Sequence, residues 1–124
     1  MLQIVKRKDN SGYESILSGL GLTDISSVKI SEAVSNNGID GYVIYNFFDD
    51  CITIYDVNSY GDLMIFDGLV RSALFLAAMS GIEKAVFENP ERSELIELKF
   101  ITDNSNVLEP ISEKLGGCEH CRHN

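Results

Sequence analysis

Along the first half of the chain apolar and polar residues alternate with the two-residue period of half-buried strands, and around residue 60 that period gives way to a helical one. "LQIVKR" predicts a short first strand. "SGYESILSGLGL" predicts a short helix, with Ser11 placed to cap it and Gly19 or Gly21 near its end. "SSVKISEAV" predicts a second strand, and the turn signal "NNG" at 36–38 pairs it as a hairpin with "IDGYVIYNFF". A second turn, Asp49-Asp50, leads into "CITIYDV", which sets Cys51, Thr53, Tyr55 and Val57 on one face and Ile52 and Ile54 on the other. The expected product is a three-stranded antiparallel meander.

Beyond the meander, Leu69, Ala73 and Ala77 form one helical stripe and Val70, Leu74 and Ala78 another. Asp67 is the expected N-cap, Gly81 the stop, and Arg71 the outward-facing residue. Leu74 to Met79 is apolar on all sides, so this helix should be buried against a sheet. "KAVFEN" then predicts a strand parallel to "CITIYDV", joined through a crossover helix. Asn89-Pro90 signals a further helix running to about Lys99, proline being at home in the first turn. "NVLEPISEKLGG" spaces Val107, Ile111 and Leu115 four apart with Asn106 as cap, which predicts a closing helix.

The chain has 124 residues, enough for one hydrophobic core, and 44% of them are hydrophobic and 23% charged. One globular domain over residues 1–117, with a tail at 118–124, is the expected organisation. A formal charge of −9 opposes phosphate-backbone and anionic-membrane partners, which need clustered Lys and Arg. The start, "MLQIVKRKDN", lacks the apolar run of a signal peptide, and Ala73 to Met79 is too short to cross a bilayer. Three cysteines, Cys51, Cys118 and Cys121, cannot all pair within one chain, so a reducing, cytoplasmic compartment is expected. Cys51 reads as a small strand hydrophobe.

The order and residues from about Val28 to Ile101 resemble the GNAT acetyltransferase superfamily. What carries the resemblance is the meander, the strand ending near Val57, the loop into a long helix, the strand "KAVFEN" and a following segment, "N…L-I-E-L-K-F", similar to that family's "N-x-x-A…L-Y-x-x-x-G-F". The resemblance implies a mixed α+β fold with a mostly antiparallel central sheet, one parallel strand-helix-strand unit and, in this chain, a closing C-terminal helix. It also implies that acetyl-CoA enters where the fourth strand splays from the fifth. Val57 would then contribute the strand contact, and the backbone of Met64, Ile65, Phe66, Asp67, Gly68 and Leu69 would receive the diphosphate at a helix N-terminus, with Asn89 on the fifth-strand side.

The chain departs from the family's pattern at several of these positions. Leu63 stands where a basic or amide residue is usual, and Phe66 stands where the first glycine is; Gly68 alone is kept, and Asp62 and Asp67 add negative charge. Seven residues beyond Asn89, Ile96 occupies the place of the tyrosine that protonates the departing thiolate, and isoleucine cannot do so. Tyr55 and Tyr60 are the substitute acids by position, and Glu32, Asp40 or Asp56 could act as base through water.

A second feature is the ending "GGCEHCRHN". Cys118 and Cys121 form a C-x-x-C with His120 and His123 interleaved, a spacing suited to zinc or to a redox pair, while the plainer reading is an inert polar end. Three readings stay open. The chain is an acetyl-CoA-dependent N-acyltransferase acting on an amine of a small molecule or peptide, a non-catalytic GNAT-like binding protein, or a metal or thiol module. A homodimer would fit a shared zinc site.

Overall fold

A computed structural model describes residues 2–22 and 25–116. Six strands form one sheet in chain order: β1 (Gln3–Lys6), β2 (Lys29–Ser35), β3 (Gly38–Phe48), β4 (Cys51–Asn58), β5 (Lys84–Phe87) and β6 (Val107–Leu108). Every neighbouring pair is antiparallel except β4 and β5, which are parallel. The α+β architecture with a single parallel unit agrees with the sequence.

Both hairpin turns fall where the turn residues placed them. Ser35 pairs with Gly38 across Asn36-Asn37, and Phe48 pairs with Cys51 across Asp49-Asp50. The two aspartates have φ of 56° and 60°, the paired left-handed residues of a turn whose twist matches its strands.

Helix α1 spans Glu14–Gly19. Ser11 does not cap it: Tyr13 holds the cap position without a side-chain bond, and the Ser11 hydroxyl donates to Asp9 instead. Its end is a Schellman arrangement, with the Leu22 amide donating to the Leu17 carbonyl and the Gly21 amide to that of Ser18. Helix α2 (Leu63–Met79) ends in the same way through Gly81.

At its start α2 differs from expectation. Asp62, not Asp67, is the N-cap, its carboxylate accepting from the Ile65 amide at 3.0 Å. The reason lies upstream. Tyr60 and Gly61 take positive φ, and this tight turn admits the helix five residues before Asp67. Asp67 is consequently one turn inside, where it pairs with Arg71 at i,i+4.

Helix α3 is a single turn, Ser93–Glu97, and not the longer helix anticipated from Pro90 to Lys99. Pro90 lies in the preceding turn. The closing helix α4 (Ile111–Leu115) exists, but Val107 and Leu108 are strand β6, and Asn106 bridges to the Phe87 carbonyl instead of capping α4.

The sheet divides the interior in two. On the α2 side Val43, Ile52, Ile54, Val57, Phe66, Leu69, Leu74, Phe87 and Phe100 belong to one buried apolar cluster. On the α1 side Tyr13, Leu17, Val28, Ile30, Tyr42 and Ile44 form a smaller one. No helix among the described residues is long and apolar enough to cross a membrane.

Candidate active site

The carboxyl half of β4 is where the sheet opens. Pairing with β5 ends at Ile54↔Phe87, closed by the Glu88 amide donating to the Ile54 carbonyl at 2.8 Å. Tyr55 to Asn58 therefore continue with no partner on β5. On the other side of β4 the register jumps: Tyr45 pairs with Ile54 but Ile44 with Asp56, so Tyr55 is the extra residue of a β-bulge.

The bulge corrects the face assignment made from strict alternation. Val57 does not share a face with Tyr55; it joins Ile52 and Ile54 in the α2-side cluster, and Tyr55 packs against the α1-side one. Asp56, next to the bulge, is buried.

Burying a carboxylate requires compensation, and two side chains beyond β5 supply it. Asn89 Nδ2 donates to Asp56 Oδ1 at 3.0 Å, and Arg92 donates to both oxygens from Nε at 3.2 Å and Nη2 at 3.1 Å. These bonds span the opening between β4 and the segment after β5. The Asp56 hydrogen bond raises the Arg92 pKa above its usual range.

After Asn58 the chain makes a tight turn. The Asn58 side chain accepts from the Tyr60 amide, and the Ser59 carbonyl accepts from the Asp62 amide. Gly41 on β3 permits this turn to sit against the sheet, since a Cβ there would stand 2.7 Å from the Asn58 carbonyl oxygen. The Ser59 hydroxyl is buried and has no hydrogen-bond partner, an uncommon state for an interior polar atom.

Beside this turn, on the α1 side, is a cleft of about 290 Å³ lined by Arg7, Tyr13, Ile16, Glu32, Tyr42 and Tyr60 among others. Glu32 is 4% exposed. Its carboxylate accepts from the Tyr13 hydroxyl at 2.6 Å and from Arg7 Nη1 at 3.3 and 3.4 Å. Burial, then the bond and charge of Glu32, drive the Tyr13 pKa well above the phenol range. Tyr42 meets the Tyr13 ring edge-on at 5.4 Å, and its pKa is raised mainly by burial. Tyr60, 68% exposed, stands at the rim.

The remaining expected site residues scatter. Phe66 and Leu69 are core side chains, and Asp67, Gly68 and Leu69 lie in the interior of α2, where backbone amides serve the helix itself. Gly68 faces β1, a Cβ there standing 3.3 Å from Ile4 Cδ1. Of the first-turn amides, Ile65 is taken by the Asp62 carboxylate and Phe66 by the Asp62 carbonyl, so Leu63 and Met64 precede the first of these bonds. Ile96 lines a hollow with Pro90 and residues 101–106, apart from the cleft tyrosines. Cys118, His120, Cys121 and His123 lie outside the described residues, among which no group of His, Cys, Asp and Glu could hold a metal.

The fit to acetyl-CoA is thus uneven. The β4 backbone beyond Ile54, which has no partner on β5, suits the amide-bearing end of such a molecule. For a diphosphate there are two helix amides, with Asp62 and Asp67 close by and no basic residue in the first turn of α2. Sequence reasoning missed Ser59, Arg7, Tyr13, Tyr42 and Arg92. The roles of Arg7, Tyr13, Tyr42 and Arg92 depend on contacts across 19 to 36 positions, for which a single sequence carries no periodic signal.

No protein-family profile and no curated protein matches the sequence. Solved structures do. A candidate acetyltransferase from Exiguobacterium sp. 255-15 superimposes with a TM-score of 0.62 at 11% identity, covering 95% of this chain and 98% of that one. IAA acetyltransferase from Bacillus cereus ATCC 14579 gives 0.59 at 12% identity, over 78% of this chain and 75% of that one. The chain has a GNAT-like fold. N-acetylglutamate synthase from Neisseria gonorrhoeae, solved with coenzyme A and N-acetyl-glutamate, gives 0.53 at 15% identity; 97% of this chain matches 33% of that protein. At these identities the likeness is one of fold, and this GNAT-like chain spans about a third of the synthase.

Proposed function

We propose that this protein is a small GNAT-type N-acyltransferase that takes its acyl group from acetyl-CoA and delivers it to an amine of a small molecule or peptide. The observation that carries the reading is the open, bulged end of β4, which leads through the turn at Tyr60 to a tyrosine-lined cleft holding a buried carboxylate. Acetyl-CoA, when bound, supplies the acyl group as a thioester and leaves with the sulfur.

The chain's own residues do the rest. Tyr42 and Tyr60 line the cleft that an amine would enter, beside the paired Arg7, Glu32 and Tyr13. Glu32 is held by Arg7 and Tyr13 and serves as an anchor for the cleft wall. The attacking species is the neutral amine, its ammonium proton left in water; attack forms one N–C bond and breaks one C–S bond, the nitrogen passes one further proton to water, and the leaving thiolate takes up one proton. Tyr60, exposed at the rim, is the hydroxyl best placed to hand a proton to the leaving thiolate, and Tyr55, half-buried at the bulge, is the second. Asp56, fixed by Asn89 and Arg92, holds the two sides of the opening in register. Leu63 and Met64 would hold the diphosphate by their amides, with Asn89 across the opening.

The test is incubation with acetyl-CoA and a panel of primary amines, with the acetylated product read by mass spectrometry. Acetylated amine, lost on Tyr60→Phe by about tenfold or more and reduced by Glu32→Gln through KM, supports the assignment. Absence of product with every amine, in a protein that binds acetyl-CoA, would move the reading to a non-catalytic binding protein.

A further inference from the structure

A larger hollow lies on the other side of the sheet, away from β4. It is a groove of about 750 Å³ between β1, α2 and α4, within the size range of small-molecule pockets. Its walls are apolar: Ile4 from β1, Phe75, Leu76 and Met79 from α2, and Leu115 from α4. Phe75 is 56% and Met79 70% exposed, so α2 presents large apolar side chains to water along a face that neither the sheet nor α4 covers.

The charges around this groove run against the rest of the molecule. The chain carries nineteen acidic and ten basic residues, yet the lining contains Lys6 and Arg71 and no carboxylate. Arg71 is paired with Asp67, whereas Lys6 has no carboxylate partner among the described residues. Ser31 and Ser72 add hydroxyls. An apolar trough with a cation at its margin complements an apolar tail bearing one negative head.

We propose that this groove binds a free fatty carboxylate, its chain along Ile4, Phe75 and Met79 and its head group at Lys6. The site is separate from the acyl-transfer opening, so it stands or falls independently of that assignment. The experiment is isothermal titration, with methyl NMR of Ile4 and Met79, using sodium decanoate below its aggregation concentration. Decyltrimethylammonium, phosphatidylglycerol vesicles and the oligomeric state by sedimentation are measured in parallel. The expected result is one decanoate per chain with both methyls shifted, and at least tenfold weaker binding for Lys6→Glu with an unchanged melting temperature. Phe75→Ser should weaken it as well. Equal affinity for decyltrimethylammonium, binding to vesicles without binding of monomeric decanoate, or a dimer that protects the groove methyls would each overturn the proposal, the last by giving the groove to a second copy.

Discussion

The two faces of the sheet have been built to different rules. Among the described residues the α2 face buries eighteen in one apolar cluster, with Tyr45 as its most polar member, tied off by Ser31 at 3.0 Å. The α1 face buries six of the described residues, and around them stand the carboxylates of Glu32 and Asp56, each neutralised by an arginine and a further donor. Apolar packing on one face supplies stability without specifying chemistry. The other face accepts the cost of desolvating charges, which is weak ground for stability and a common mark of a site.

Leu74→Asp breaks that contrast most severely. It puts an unpaired carboxylate into the apolar face at a fully buried position, and should cost several kcal/mol, enough to unfold a domain of this size. Chemical denaturation measures it, and an unchanged midpoint would show that the face is not a packed core. Next is Arg92→Ala, which leaves Asp56 buried with Asn89 alone. The arginine is part-exposed, so water softens the loss to roughly 2 kcal/mol, and Asp56→Asn on the same background should recover part of it. A loss from Arg92→Ala that Asp56→Asn does not relieve would mean the carboxylate is not what the arginine serves.

A third test uses pH. Three of the five tyrosines, Tyr13, Tyr42 and Tyr45, have pKa values raised, chiefly by burial. For an acid whose folded pKa is raised, the unfolded chain loses its proton first, so stability is intact below the usual phenol value of about 10 and falls as pH rises beyond it. Ultraviolet titration should show three phenols ionising above the usual phenol value, and Tyr13→Phe should flatten the alkaline decline. Five phenols titrating together in the folded protein would contradict the burial of the α1 face. The smallest effect belongs to Arg71→Ala. Its pair with Asp67 is a part-exposed i,i+4 contact, and its loss should change stability by about 0.5 kcal/mol.

How much of this the sequence displayed follows the same division. The apolar stripes Leu69-Ala73-Ala77 and Val70-Leu74, the Asp49-Asp50 and Asn36-Asn37 turns and the Gly81 stop are local patterns, and all correspond to the structure. Features set by a choice between equals were not legible. Asp62 and Asp67 are both capping residues before apolar runs, and the Tyr60-Gly61 turn decides between them. Strict alternation placed Val57 with Tyr55, because a bulge at Tyr55 arises from pairing with β3 and leaves no mark in β4 itself. Pro90 was compatible with a first helical turn, yet the segment holds Asn89 and Arg92 against Asp56 and the helix waits until Ser93. The Tyr13–Glu32–Arg7 cluster joins β2 to the two ends of the connection between β1 and α1, neither of which is distinctive alone.

The central claim, that the open end of β4 receives acetyl-CoA, is tested most directly by calorimetric titration of acetyl-CoA into the intact protein, alongside Ser59→Leu. The uneven fit sets the expected strength. With two helix amides and nearby aspartates at the diphosphate end, the dissociation constant should be on the order of 100 μM, weak but saturable, since each 1.4 kcal/mol lost is a tenfold fall. Ser59→Leu overfills the buried turn that ends β4 and should lower the melting temperature of the unliganded protein; titrated below that temperature, where it is still folded, it should show no heat. No binding at millimolar acetyl-CoA, or equal binding by Ser59→Leu, would contradict the account.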